Sequence, residues 1–182
     1  MPGDRGLTLI EVIVALALLG TALAAIAGTV QGAFRAMLLV ERTLEVQQNA
    51  RIAVDRMADE LRWAEAVLDD ARCAGLCADR ITVRISPHNP RRPGETYVVT
   101  FQRDEVQREL ERRLGSAVNN LAGFIESLVF RYFGPDGTAA LRPQEVARVE
   151  VAVVAAAPSP GATRTVTTEV FLRNRPAPTP AP

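Results

Sequence analysis

The sequence predicts an α+β protein in which one long N-terminal helix precedes an antiparallel β-sheet. Residues 12–30 contain no charged side chain, and no proline occurs between Pro2 and Pro87. Beyond residue 80, short stretches of alternating apolar and polar residues are separated by segments rich in Pro and Gly. A long apolar run followed by segments of period two indicates a helix first and strands afterwards.

The apolar run predicts that residues 7–30 form a membrane-spanning half of the helix. About 20 apolar residues cross the hydrocarbon core of a bilayer as a helix. A cleaved secretory signal is the weaker interpretation, because such a signal has a basic start and a small-residue cleavage site after its apolar region. Here the small residue Gly6 precedes the run, and Arg5 is the only basic residue before it.

Glu11 is a single acid inside this apolar segment. An acid at the centre of a membrane helix costs roughly 2.5–3.5 kcal/mol on insertion scales and marks a functional position by default. Two interpretations follow. Either Glu11 reaches water at the membrane surface, or a partner supplies a cation to it; we favour the second.

Residues 5–12, with the sequence RGLTLIEV, resemble the prepilin cleavage and methylation motif of type IV pilins and type II secretion pseudopilins. The resemblance implies that residues 1–6 are a leader, which a membrane-bound prepilin peptidase removes by cutting between Gly6 and Leu7. It also implies that the new amino group of Leu7 is methylated. The family usually has Phe as the first mature residue, where this sequence has Leu7.

The same resemblance implies that Thr8 and Glu11 act in assembly. Glu11 becomes the fifth mature residue, which in the family pairs with the N-terminal amine of a neighbouring subunit. Opposite charges attract far more strongly in a low dielectric than in water, so such a pair would favour docking in one register.

The helical pattern continues beyond the membrane segment and predicts an amphipathic half at residues 31–70, ending near Leu68. Charged pairs at spacing i,i+4 support it, as in Arg51/Asp55 and Arg56/Glu60. The apolar positions recur mostly at three- and four-residue steps: Val40, Leu44, Ala50, Ala53, Met57, Leu61, Ala64 and Leu68.

Residues 71–175 predict a β-rich domain, which together with the helix resembles the pilin-like architecture. A disordered or extended Pro/Ala-rich tail follows at residues 176–182. Turn residues predict connections at 86–96, 134–137 and 158–161. The predicted strands are residues 81–85, 97–101, 106–114, 128–133, 146–157 and 165–172.

Cys73 and Cys77 are the two cysteines. If the domain lies outside the cytosol, as the resemblance implies, a disulfide between them is favoured over two free thiols. They cannot form a zinc site by themselves, because tetrahedral zinc needs four ligands and His88 is the only histidine.

The acidic residues 69–70 and Asp136 are too few to form a calcium site, because calcium takes 6–8 oxygen ligands. We therefore expect no metal and no cofactor.

The balanced charge, with 21 basic and 21 acidic residues, predicts no nucleic-acid partner. No nucleophile motif or phosphate-binding loop is present in the sequence, so we expect a structural protein and not an enzyme.

Three features resemble J-type minor pseudopilins or the related W-type minor pilins: the strand and turn at 130–137, the strand at 149–153, and the closing residues 173–174.

This second resemblance implies a minor subunit at or near the tip of a type II secretion pseudopilus. The implied partners are other pilin-like subunits, the prepilin peptidase, the inner-membrane assembly platform and the lipid bilayer. The implied location is the bacterial inner membrane, with a single pass and a periplasmic C-terminal domain. A minor type IV pilin, a DNA-uptake pseudopilin and an unprocessed single-span membrane sensor or adaptor remain as alternatives.

Overall fold

The computed structural model describes residues 8–73, 75–157 and 163–173. The chain divides into two compact units, Met1–Arg42 and Thr43–Pro182. Helix α1, at Leu9–Leu61, begins in the first unit and ends in the second. The remaining elements belong to the second unit, so the fold is one long helix followed by antiparallel sheets, as the sequence predicts.

In the first unit, every described residue of α1 is exposed. Between residues 9 and 40, Glu11 and Arg35 are the only charged side chains. Ala and Leu, which favour helix strongly, supply nearly half of this stretch. The helix is long and apolar enough to cross a membrane, which is consistent with a single-pass anchor.

The second unit contains two antiparallel sheets. The first sheet has five strands in the order β1-β2-β3-β4-β5, and the second has three strands in the order β6-β7-β8. A short 3₁₀ helix at Pro143–Glu145 precedes β7. The strands are β1 Ala64–Val67, β2 Arg80–Ile85, β3 Tyr97–Asp104, β4 Glu109–Leu114, β5 Ala117–Ala122, β6 Ile125–Phe133, β7 Arg148–Ala156 and β8 Thr163–Phe171.

The core of this unit forms where α1 covers the inner faces of the sheets. Strands β2, β3 and β7 alternate between buried apolar and more exposed side chains, as period two requires. Phe101 in β3 is fully buried, and burial of such a side chain is worth roughly 1.5–3 kcal/mol. The helix contributes Val46, Ala50, Ala53, Val54, Met57 and Leu61.

The predicted helix end near Leu68 is wrong, because α1 ends at Leu61 and residues 64–67 form β1. Backbone pairing explains the difference. Ala64 lies opposite Ile85 in β2, and the amide of Ser86 donates to the carbonyl of Trp63 at 2.9 Å. Strand pairing at the edge of the sheet therefore overrides a helical pattern in the sequence.

The apolar stripe also begins later than predicted. Val40 and Leu44 are more than half exposed, whereas Val46 and Val54 are buried. The helix therefore meets the sheets from about residue 46 onward, and its buried face includes the predicted positions Ala50, Ala53, Met57 and Leu61.

Five predicted strands overlap β2, β3, β6, β7 and β8. The predicted strand at 106–114 is shorter, because the Asp104 carboxylate accepts hydrogen bonds from the amides of Val106 and Gln107 and closes a turn there. Strand β5 was not predicted, since Asn119 and Asn120 are poor strand formers.

The predicted turn at 134–137 is confirmed, because the Gly137 amide donates to the Gly134 carbonyl at 3.1 Å. The turn at 158–161, Asn174 and the tail at 176–182 lie outside the described residues.

A buried polar network joins the end of α1 to the five-stranded sheet. Glu60 in α1 is 7% exposed, and the guanidinium of Arg112 in β4 donates to both of its carboxylate oxygens, with 2.7 Å from Nε to Oε2. The Tyr97 hydroxyl donates to Glu60 Oε1 and accepts from Asn89 Nδ2, each at 2.8 Å. Burial, reinforced by the Glu60 carboxylate, raises the pKa of Tyr97 to about 12.

We predict that Glu60→Ala destabilises the protein by about 2–4 kcal/mol, because it leaves the largely buried Arg112 without its carboxylate partner. Urea unfolding of the full chain in detergent, followed by the fluorescence of Trp63, measures this loss. Asp55→Ala is the matched control on the same helix. It removes an exposed pair with Arg51 and should change the free energy of unfolding by less than about 1 kcal/mol. Equal losses in the two variants would contradict the assignment.

Candidate processing and assembly site

Thr8 and Glu11 contact each other at the start of α1. The Thr8 amide donates to Glu11 Oε2 at 2.9 Å, and the Thr8 hydroxyl donates to the same oxygen at 3.0 Å. In return, the Glu11 amide donates to Thr8 Oγ1 at 3.4 Å. This reciprocal pattern is a capping box: the Thr8 amide finds an acceptor in the Glu11 carboxylate, and the Glu11 amide is shared between Thr8 Oγ1 and the Thr8 carbonyl, the latter at 3.1 Å.

The capping box fixes the position of the Glu11 carboxylate. A negative group is favoured at a helix N-terminus, where unpaired amides carry partial positive charge. Among the described residues, both side-chain hydrogen bonds go to Oε2, and Oε1 has no partner. Within the described residues, Oε1 is therefore available to accept a hydrogen bond from a neighbouring molecule.

Exposed apolar side chains lie between the two members of this polar pair. Leu9 and Ile10 are 78% and 65% exposed. Burial of this segment in a membrane, or against another apolar helix, would place the Glu11 carboxylate in apolar surroundings. There it would attract a cation much more strongly than it does in water.

The structure brings together two of the four residues predicted for processing and assembly. Thr8 and Glu11 are in contact, whereas Gly6 and Leu7 lie outside the described residues. Cleavage between Gly6 and Leu7 and methylation of Leu7 stay predictions. The capping box is a feature that the sequence predictions did not include, although Thr followed three residues later by Glu is its sequence signal.

The predicted disulfide between Cys73 and Cys77 is confirmed, with their Cα atoms 5.4 Å apart. It closes a loop between β1 and β2. The Tyr132 hydroxyl from β6 donates to the Cys77 carbonyl at 2.7 Å, which ties this loop to the second sheet. Because both sulfur atoms are in the disulfide, neither is a thiolate ligand for a metal, although Asp79 lies nearby.

The acids considered for calcium are engaged separately. Asp70 forms an ion pair with Arg80 at 3.0 Å. Asp136 accepts hydrogen bonds from the amide and the hydroxyl of Thr138, and these bonds hold the pKa of its carboxyl below the ordinary value. Each carboxylate thus stabilises local structure.

Comparison with known families identifies the N-terminal segment. Residues 1–27 match the family model described as the prokaryotic N-terminal methylation motif. The matched range includes the predicted leader, the predicted cleavage position and the capping box. No curated protein matches this chain significantly.

We predict that Thr8→Ala loosens the first turn of α1, because it removes the hydroxyl that donates to Glu11 Oε2 and accepts from the Glu11 amide, leaving that amide only the Thr8 carbonyl. Loss of such a cap costs about 1 kcal/mol of helix stability. Hydrogen exchange at the Glu11 amide, measured on the full chain in detergent, should speed up about fivefold. Thr21→Ala is the control, since the Thr21 hydroxyl donates to the Leu18 carbonyl within the helix and caps nothing. Unchanged exchange in Thr8→Ala would show that the cap does not hold the first turn.

Proposed function

We propose that this prepilin-processed, type IV pilin-like protein is a minor structural subunit of a type II secretion pseudopilus. The methylation motif at residues 1–27 and the long apolar helix establish the pilin-like class. The observation that carries the proposal further is the Glu11 carboxylate, which Thr8 holds at the start of an exposed apolar helix and whose Oε1 has no partner among the described residues.

The geometry suggests how this site works in assembly. Cleavage before Leu7 would create an amine only a few residues from the capping box. In a neighbouring subunit, the equivalent amine would donate to the free oxygen of Glu11. In the apolar surroundings of packed helices this charge-assisted hydrogen bond would be strong, and it would select one stagger between subunits.

A minor position in the fibre is supported by the second unit. Its described residues form eight strands in two sheets, which make a large β-domain. The J-type resemblance falls on residues 130–133 and 149–153, which lie in β6 and β7 of the same sheet. These features favour a tip-proximal role that supports protein export.

The proposed location is the inner membrane, with the second unit in the periplasm. A disulfide at Cys73–Cys77 fits an oxidising compartment, because cytosolic thiols are kept reduced. In this proposal the partners are other pilin-like subunits, the prepilin peptidase and the assembly platform. The chain acts through assembly and not through catalysis.

A minor type IV pilin or DNA-uptake pseudopilin is the nearest alternative, since the same N-terminal site serves all three kinds of fibre. A deletion strain separates them. The proposal expects loss of exported enzymes from the culture medium, with pilus-dependent motility and DNA uptake unchanged. Loss of motility or DNA uptake with normal export would overturn the secretion assignment.

We predict that Glu11→Ala, expressed in that deletion strain, is cleaved normally but fails to restore export, because it lacks the carboxylate that pairs with the amine. Glu11→Gln is the informative control, since its amide oxygen preserves the cap while the negative charge is lost. If charge pairing drives assembly, Glu11→Gln also fails. Full export with Glu11→Gln would show that only the cap matters, and full export with Glu11→Ala would exclude the assembly role.

A further inference from the structure

A concave pocket of about 310 Å³ lies within the second unit and is lined by four arginines. Arg56 comes from α1, Arg91 and Arg92 from the connection between β2 and β3, and Arg112 from β4. The elements that meet here are far apart in sequence, so the cluster is a product of the fold.

Glu60 is the one carboxylate among the pocket-lining residues that the structure describes. Its two oxygens accept from Arg112 and Tyr97. This network fixes Arg112 at the pocket wall and leaves Glu60 unable to neutralise a second arginine.

The other arginines differ in their partners. Arg91 pairs with Asp59 at 3.0 Å, and Arg92 pairs with Glu95 at 3.3 Å while lying over the ring of Tyr97. Both pairs are substantially exposed, so each arginine can exchange its partner at low cost.

Arg56 is different, because its guanidinium has no ion pair or hydrogen bond with any residue in the described part of the chain. Glu60 stands at its i+4 position, yet Arg112 holds that carboxylate. The pocket thus presents the guanidinium of Arg56, which has no partner among the described residues, next to those of Arg91 and Arg92, which can exchange their partners.

Charge indicates the kind of ligand. The four arginines face three carboxylates, those of Glu60, Asp59 and Glu95, and Asp59 is shared with Arg62 at 3.5 Å. Positive charge is therefore in excess here, which favours an anion. The planar guanidinium fork matches a carboxylate with two parallel hydrogen bonds, and a carboxylate brings less negative charge next to Glu60 than a doubly charged phosphate does.

We propose that this arginine pocket binds an acidic side chain, Asp or Glu, of a partner protein. Its apolar wall, formed by Leu121 and the Tyr97 ring, suits the methylene groups of such a side chain. The pocket is separate from the Glu11 site, and the inference holds whether or not Leu7 becomes the mature N-terminus.

The test is a titration of the full chain in detergent, labelled with ¹⁵N-arginine, with N-acetyl-Ala-Glu-Ala-amide. We expect saturable shifts of the Nε–H signals of Arg56 and Arg92. Arg56→Gln should weaken binding by about three- to tenfold, the effect of replacing a charge-assisted hydrogen bond by a neutral one. Arg51→Gln should bind the peptide like the parent chain, because it makes the same charge change on the same helix outside the pocket.

Three results would overturn the proposal. The first is an equal response to the Ala-Gln-Ala peptide, and the second is equal weakening by Arg56→Gln and Arg51→Gln. The third is tighter binding of inorganic phosphate than of the glutamate peptide, which would assign the pocket to a free anion. None of these results bears on processing at Gly6, so this inference and the proposed function fail independently.

Discussion

The second unit depends on burial of one face of α1 against its two sheets. From Val46 to Leu61, the helix supplies small and branched apolar side chains at three- and four-residue steps, and the inner faces of β2, β3 and β7 complete the core. Without the helix, these strands would expose their apolar faces to water. The domain therefore cannot be separated from the last turns of the helix, while the first unit of the same helix leaves its apolar surface open.

Polar contacts then fix how the helix end meets the first sheet. The Glu60 carboxylate, buried at the end of α1, accepts hydrogen bonds from Arg112 and Tyr97. A buried charge is tolerated only when it is paired and hydrogen-bonded, so this network specifies one register between helix and strands. It also holds Arg112 in place at the arginine pocket, which links the packing of the core to a binding surface.

Much of the fold could be predicted from local patterns, because the signals are themselves local. Alternation marks β2, a run of valines marks β7, and Thr8 followed by Glu11 is a recognisable helix start. The helix end was not predictable, because the residues after Leu61 fit a helix until β2 is present to pair with them. Strand β5 carries Asn119 and Asn120 and exists through its pairing with β4. The partner of Glu60 lies 52 residues away, so sequence spacing favoured Arg56, four residues away, instead.

We propose above that this chain is a precursor, which is cut between Gly6 and Leu7. The Glu11 carboxylate then pairs with the N-terminal amine that cleavage creates in a neighbouring subunit. The most direct test of this proposal is the intact mass and N-terminal sequence of the protein from membranes of strains with and without the prepilin peptidase. The account predicts a mature chain that starts at N-methylated Leu7 and appears only when the peptidase is present. An uncut chain that starts at Met1 in both strains would contradict it and would make residues 7–30 a simple anchor for a membrane sensor or adaptor.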